Sequence, residues 1–187
     1  MVAVVILAGG GSKRFGSDKR FYRLSGKTLI EACCEKNYIV ADKDFSDKGF
    51  NAQGFTVLRD LEEGGGPLMG IYTALSRIVE EGCLVIPVDM PGLSVSLLEY
   101  INEQANFSHL SVLYGDELFP LPGYYSKKLL PLIESSFESG DISLKALVGR
   151  AEKSGEMKVL MLSLEKIKRF GDPKEILLNI NTEDDIA

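Results

Sequence analysis

The sequence predicts an α/β fold: a mostly parallel sheet covered by helices on both faces, in three layers, built as one domain over residues 1–187. Three observations predict it. Val2 to Leu7 is a continuous apolar run rich in β-branched residues, the pattern of a strand buried on both faces. Short apolar runs then alternate with segments of helical periodicity as far as about residue 105, which implies parallel strands joined by helical crossovers. The first and fourth runs stop at Gly9 and at Asp89-Met90-Pro91, and sheets of this kind bind ligands where strands end at their carboxyl edge.

The elements follow in order. After the first strand, Thr28 caps a short helix over Leu29 to Lys36, and Tyr38 to Val40 is a second strand. Asp42 to Gly54 is polar and reads as loop; Phe55 to Leu58 is a third strand. Gly64-Gly65-Gly66-Pro67 turns into a helix, because proline suits the first helical turn. Leu68, Ile71, Tyr72, Leu75, Ile78 and Val79 recur at helical spacing, and Gly82 is expected to stop that run. Cys83 to Val88 is a fourth strand, and Ser94 or Ser96 starts a helix running to about Ala105. Leu110 to Tyr114 and Leu118 to Leu121 are extended, and Lys127 to Phe137 is helical with Pro131 in its first turn. Ser143 to Gly149 is a short helix, Lys158 to Leu162 a strand, and Leu177 to Ile180 a last strand.

Composition narrows the function classes. The chain is 45% hydrophobic and 26% charged, as in ordinary globular domains. No apolar run approaches the ~20 residues of a membrane span, and no secretory leader pattern is seen, so the expected location is the cytoplasm. Cys33, Cys34 and Cys83 have no metal-ligand spacing and read as small core residues. His109 precedes an apolar strand with no orienting partner near it in sequence, so it is not expected to be catalytic. The net charge of −6 argues against nucleic acid as a partner. The charge is uneven, however. Lys13, Arg14, Lys19, Arg20, Arg23 and Lys27 face a single acid, Asp18, in one short segment, enough to concentrate a small anion there.

That basic segment follows three glycines, in Leu7-Ala8-Gly9-Gly10-Gly11-Ser12-Lys13-Arg14-Phe15-Gly16-Ser17-Asp18-Lys19. Glycines let backbone N–H groups approach phosphate oxygens without an intervening Cβ. Ser12 adds a hydroxyl, Arg14 a fork that matches phosphate and Lys19 a compact charge. The dinucleotide fingerprint fails here, because Arg14 occupies the place of its third glycine. Gly26-Lys27-Thr28 copies the tail of a Walker loop, but Phe21 stands where that loop needs its first glycine.

The loop resembles the L-A-G-G-x-S-x-R-[MF]-G-x-D-K signature of the molybdenum cofactor guanylyltransferases. Gly66-Pro67-Leu68-Met69-Gly70, Asp89-Met90-Pro91 and Asn179-Ile180-Asn181-Thr182 resemble three further motifs of that family, in the same order along nearly the whole chain. The resemblance implies a Rossmann-like sheet of the nucleotidyltransferase type and transfer of GMP from GTP to the terminal phosphate of molybdopterin, with release of pyrophosphate. It implies that Leu7, Ala8, Gly9, Gly10, Ser12, Arg14, Lys19, Asp60 and Asp89 bind the nucleotide, and that Arg14, Lys19 and Asp89 act in catalysis. It assigns Mg²⁺ to Asp89, and Asn179 and Asn181 to the acceptor. It also makes transient contact with carrier or cofactor-insertion proteins plausible.

The residues admit that chemistry independently. Asp89 directly follows a buried strand, and Mg²⁺ usually takes one or two protein carboxylates, completing its shell with water and substrate phosphate. A phosphate nucleophile has a second pKa of about 6 and needs no general base, in keeping with a segment rich in cations. The chain differs from the family pattern in a short first helix, in Ala41-Asp42-Lys43 where asparagine is usual, and in Phe119-Pro120 where His-Pro is common. Two other readings therefore stand beside the first: a transferase using CTP or another phosphorylated acceptor, and a nucleotide-binding regulatory module without turnover.

Overall fold

Val4, Val5 and their neighbours leave no polar face for solvent, so the first strand must lie inside a sheet, and it does. In the computed structural model, which describes residues 2–8, 37–41, 55–87, 89–90 and 92–178, β1 (Ala3–Leu7) is buried along its whole length. It pairs in parallel with β2 (Asn37–Ala41) on one side and β4 (Gly82–Pro87) on the other. β3 (Thr56–Arg59) adds in parallel outside β2. Beyond β4 come β6 (Leu118–Ser126), β5 (Leu110–Tyr114) and β7 (Val159–Ser163), giving the order β3-β2-β1-β4-β6-β5-β7. Only β6 runs against the others among these strands.

The alternation of side chains sorts two cores. Ala3, Val5 and Leu7 of β1, with Cys83 and Val85 of β4, face α1 (Gly66–Arg77), α3 (Leu130–Ser139) and α4 (Leu144–Ser154). Val4, Leu84 and Ile86 face α2 (Val95–Glu103), and α5 (Leu164–Ile167) and α6 (Pro173–Ile176) cover the same side. The three-layer α/β/α architecture expected from the sequence is therefore present.

Local signals explain most boundaries. Ser94 Oγ accepts from the Leu97 N–H at 3.3 Å and caps α2. Ser143 Oγ caps α4 in the same way, and Gly155 closes that helix in the left-handed region at φ 68°. Pro131 lies in the first turn of α3, after a 3-10 turn over Lys127–Leu129.

Four expectations are corrected. α1 ends at Arg77 rather than at Gly82, because Ile78 turns extended (ψ 155°), and Val79 is 78% exposed instead of joining the buried face. Gly82 opens β4, where a Cβ would meet Tyr124 Oη at 2.5 Å and the Tyr125 carbonyl at 2.6 Å. The strand from Leu118 continues past Leu121 to Ser126, and the helix from Ser143 continues past Gly149 to Ser154. Leu177 and Leu178 do not begin a strand: Asp172 caps α6 with Pro173 in its first turn, and Leu177 ends that helix. The expected helix over 29–36 and loop over 42–54 lie outside the described residues, and so do 179 and 180.

Candidate active site

The order of the strands decides where a ligand can bind. The chain builds β1, β2 and β3 outward, then returns to place β4 on the opposite side of β1. Connections leave in opposite directions at the carboxyl ends of β1 and β4, opening the crevice in which such sheets bind ligands. Leu7 lies in register with Pro87 across that boundary.

Leu7 and Ala8 are buried and bring the chain to this edge, where the Ala8 N–H donates to the Val40 carbonyl at 2.8 Å. The ladder thus holds β1 rigid up to the residue before Gly9. Asp60 occupies the same edge one residue past β3, its N–H donating to the Ala41 carbonyl at 3.1 Å. Thr73, fully buried on α1, fixes its surroundings: the hydroxyl accepts from the Leu61 N–H at 3.1 Å and donates to Asp60 Oδ1 at 3.4 Å. α1 can lie this close because Gly70 has no side chain; a Cβ there would stand 2.8 Å from Leu7 Cδ2 and 3.9 Å from Asp60 Oδ1.

Asp89 stands two residues past β4 on the far side of the boundary and is half-buried. No other described residue makes a hydrogen bond or ion pair to its carboxylate. β3 and β4 are separated by β2 and β1, so Asp60 and Asp89 sit roughly 14 Å apart at a strand spacing of ~4.8 Å. They flank the exit of β1 and are too far apart to share one small cation, whose oxygen ligands lie at about 2.1 Å. Among the described residues no cluster of three or more His, Cys, Asp or Glu could hold a metal ion. A cation here would rest on Asp89 together with groups from outside the described protein, such as substrate phosphate and water. Asp89 suits that role as a hard oxygen donor that no cationic side chain of the described residues neutralises.

Of the residues predicted from sequence, the structure brings Leu7, Ala8, Asp60 and Asp89 to one edge. Gly9, Gly10, Ser12, Arg14, Lys19, Asn179 and Asn181 lie outside the described residues. Thr73 escaped sequence reasoning; its one signal was a hydroxyl residue three positions after Gly70, on the same helical face.

His109 is not part of this site. It precedes β5, which runs parallel to β4, so it lies at the opposite edge of the sheet. Its Nδ1 accepts from the Lys158 N–H at 3.0 Å, which puts the proton of the neutral ring on Nε2, and Lys128 Nζ is 3.2 Å from that nitrogen. Desolvation, then the charges of Lys128 and Lys158, hold its pKa below the ordinary 6.5. The unfolded chain then binds the proton more readily than the folded one, so this contribution to stability is present above pH 6.5 and is lost as pH falls through the folded pKa. His109→Gln removes the titration. The difference in unfolding free energy between wild type and this variant is expected to be constant above neutrality and to shift against the wild type on acidification, as urea titrations at several pH values would report. Cys83 is fully buried and desolvation pushes its thiol far up, as an inert core residue requires. Cys33 and Cys34 lie outside the described residues.

Comparison with known proteins agrees with this fold. The family model described as "MobA-like NTP transferase domain" matches residues 4–155. A "Probable molybdenum cofactor guanylyltransferase" of Aquifex aeolicus is 35% identical over 189 residues, covering 97% of this chain and 86% of its own length. A protein of the same description from Thermococcus sibiricus is 30% identical, covering 97% and 94%. The crystal structure of molybdopterin-guanine dinucleotide biosynthesis protein A from Archaeoglobus fulgidus superimposes with a TM-score of 0.76 at 25% identity, covering 99% of this chain and 95% of that one.

Proposed function

Because the chain belongs to the MobA-like NTP transferase family, and is a nucleotidyltransferase, we propose that it transfers GMP from GTP to the terminal phosphate of molybdopterin. The observation that carries this reading is the placement of Asp60 and Asp89 on either side of the β1 exit, from which the glycine-rich, cationic segment departs.

An oxygen of the acceptor phosphate attacks the α-phosphorus of GTP. The bond from that phosphorus to the oxygen bridging to the β-phosphate breaks, and pyrophosphate leaves with the electron pair. The attacking phosphate is mostly ionised near neutral pH, since its second pKa is about 6, so no side chain has to remove a proton. The one histidine of the chain lies at the far edge of the sheet, which accords with that economy.

The protein's task is therefore orientation and relief of repulsion between two polyanions. The backbone of Leu7, Ala8, Gly9 and Gly10, with the Ser12 hydroxyl, cradles the nucleotide. Arg14 holds the β- and γ-phosphates, Lys19 opposes charge that develops as pyrophosphate leaves, and Asp60 orients the nucleoside end. Asn179 and Asn181 receive the acceptor. Asp89 holds a divalent cation, magnesium in this reading. When bound, that ion supplies charge neutralisation between the two phosphates.

The test is pyrophosphate release with each nucleoside triphosphate, Mg²⁺ and molybdopterin. Release with GTP is expected. Release with CTP, or only with another phosphorylated acceptor, would replace the substrate assignment; tight binding without release would mark a regulatory module instead.

One variant probes the nucleoside side. Thr73→Val removes the hydroxyl that donates to Asp60 Oδ1 and accepts from the Leu61 N–H. Leu61 is 44% exposed, so water replaces the lost acceptor and the stability cost stays near ~1 kcal/mol, a fall in Tm of about 2–4 °C. Nucleotide affinity is expected to fall about tenfold through the misdirected Asp60 carboxylate, as titration calorimetry would measure.

A further inference from the structure

The loop that carries Asp89 is fixed from two sides. Met90 and Leu93 are both buried in the core beneath α2, each 3% exposed. Between them Gly92 meets α6 by its backbone. A Cβ on Gly92 would lie 2.1 Å from the Glu175 carbonyl oxygen, 2.7 Å from its carbon and 3.1 Å from Ile176 Cα. These are main-chain atoms, which cannot rotate aside as a side chain could. The glycine is required for space rather than for backbone conformation.

The same Glu175 carbonyl accepts the N–H of Leu178 at 3.3 Å. Ile176 is 1% exposed and belongs to the same apolar cluster as Met90 and Leu93. One carbonyl therefore stands between the loop of Asp89 and the last described turn of the chain. The next residue after Leu178 is Asn179.

We infer that Gly92 is a positioning residue: it admits the α6 backbone against the Asp89 loop and so sets where the chain enters the Asn179–Asn181 segment relative to Asp89. This rests on the proposed transfer to a second phosphate and deepens it, because it makes acceptor binding depend on a residue that touches neither substrate. Any side chain at 92 forces the two backbones apart. The loop is locked by Met90 and Leu93 on either side, whereas α6 has four residues, so α6 is the element that moves. Asp89 stays in place and nucleotide binding is retained.

The experiment compares the full chain with Gly92→Ala and with Ile176→Ala, which loosens α6 from its buried side and leaves the residues of the Asp89 loop unchanged. Hydrogen exchange is measured first, with no substrate present. The Leu178 amide should exchange at least about tenfold faster in both variants, while amides of β4 keep their protection. Steady-state kinetics should then show the acceptor KM raised about tenfold or more, since small misplacements cost up to about a hundredfold, with the GTP dissociation constant within about twofold of wild type. Unchanged Leu178 exchange in both variants overturns the inference, and so does an equal loss of GTP affinity and kcat without a change in acceptor KM, the mark of a purely structural role. If Gly92→Ala does not fold, Ile176→Ala decides by the same readouts. If wild type releases pyrophosphate with a different pair of substrates, the substrate assignment fails, and the KM comparison is made with that pair. If no pair turns over, the Leu178 exchange decides the coupling by itself.

Discussion

Asp89→Ala and Asp89→Asn are each expected to lower pyrophosphate release by a hundredfold or more while leaving the fold intact. Loss of one electrostatic group aimed at developing charge in a water-poor site costs about 3 kcal/mol of transition-state stabilisation, which is a factor of about a hundred. The asparagine variant keeps the shape and one oxygen but removes the charge, so it isolates the electrostatic contribution from the steric one. Stability should change by no more than about 0.5 kcal/mol, because no other described residue bonds to the Asp89 carboxylate. The defect should ease at high Mg²⁺ for asparagine more than for alanine. The measurement is turnover against Mg²⁺ concentration, alongside urea unfolding. Turnover within about threefold of wild type at limiting Mg²⁺ would remove Asp89 from the site.

That prediction could be made from sequence because the signal was local. An apolar run buried on both faces has only one place to end, and a carboxylate at that end faces the sheet's ligand-binding edge. Asp60 entered through the family resemblance, because β3 before it buries only Leu58. Gly92 and Thr73 were not legible in that way. Gly92 matters because a carbonyl from far along the chain lies against it, and no local pattern carries that information. Thr73 reads as one more polar residue in a helix until its hydroxyl is seen between Leu61 and Asp60. Gly82 misled for a related reason. Glycine after an apolar helix is a common stop signal, yet here the helix had already ended and the glycine makes room for Tyr124 and the Tyr125 backbone. At the carboxyl end, the apolar pair Leu177-Leu178 imitated the start of a strand. The Asp172-Pro173 helix start just before it directs Ile176 into the core, and that helix ends at Leu177.

The extent of β6 was the larger miss, and it sets up the second large effect. Pro120 and Pro122 interrupt this segment, and proline offers no N–H to a ladder. Yet β6 runs to Ser126 between β4 and β5, pairing Cys83 and Leu110 with Tyr125. Tyr125 supplies what the sequence pattern concealed. Its ring is fully buried among Cys83, Leu110, Leu129 and Ile133, and its hydroxyl donates to the Pro120 carbonyl at 2.8 Å. A carbonyl inside the irregular part of the strand is thereby satisfied by the strand's own side chain. Burial also pushes the Tyr125 hydroxyl pKa far up, so it remains a donor throughout the working range of pH. Tyr125→Phe is expected to cost about 1–3 kcal/mol, the penalty for leaving a buried acceptor without its donor. Tyr125→Ala should cost about 3–5 kcal/mol through the cavity it leaves, a large share of the total stability of a domain. Urea unfolding would order the two variants, and a negligible cost for Tyr125→Phe would mean that the hydroxyl contributes nothing beyond the ring. β6 supports β4, whose end carries Asp89, but Tyr125 lies at the far end of that pairing. Turnover per folded molecule should therefore match wild type in Tyr125→Phe, with the loss of activity on warming following the loss of the folded state.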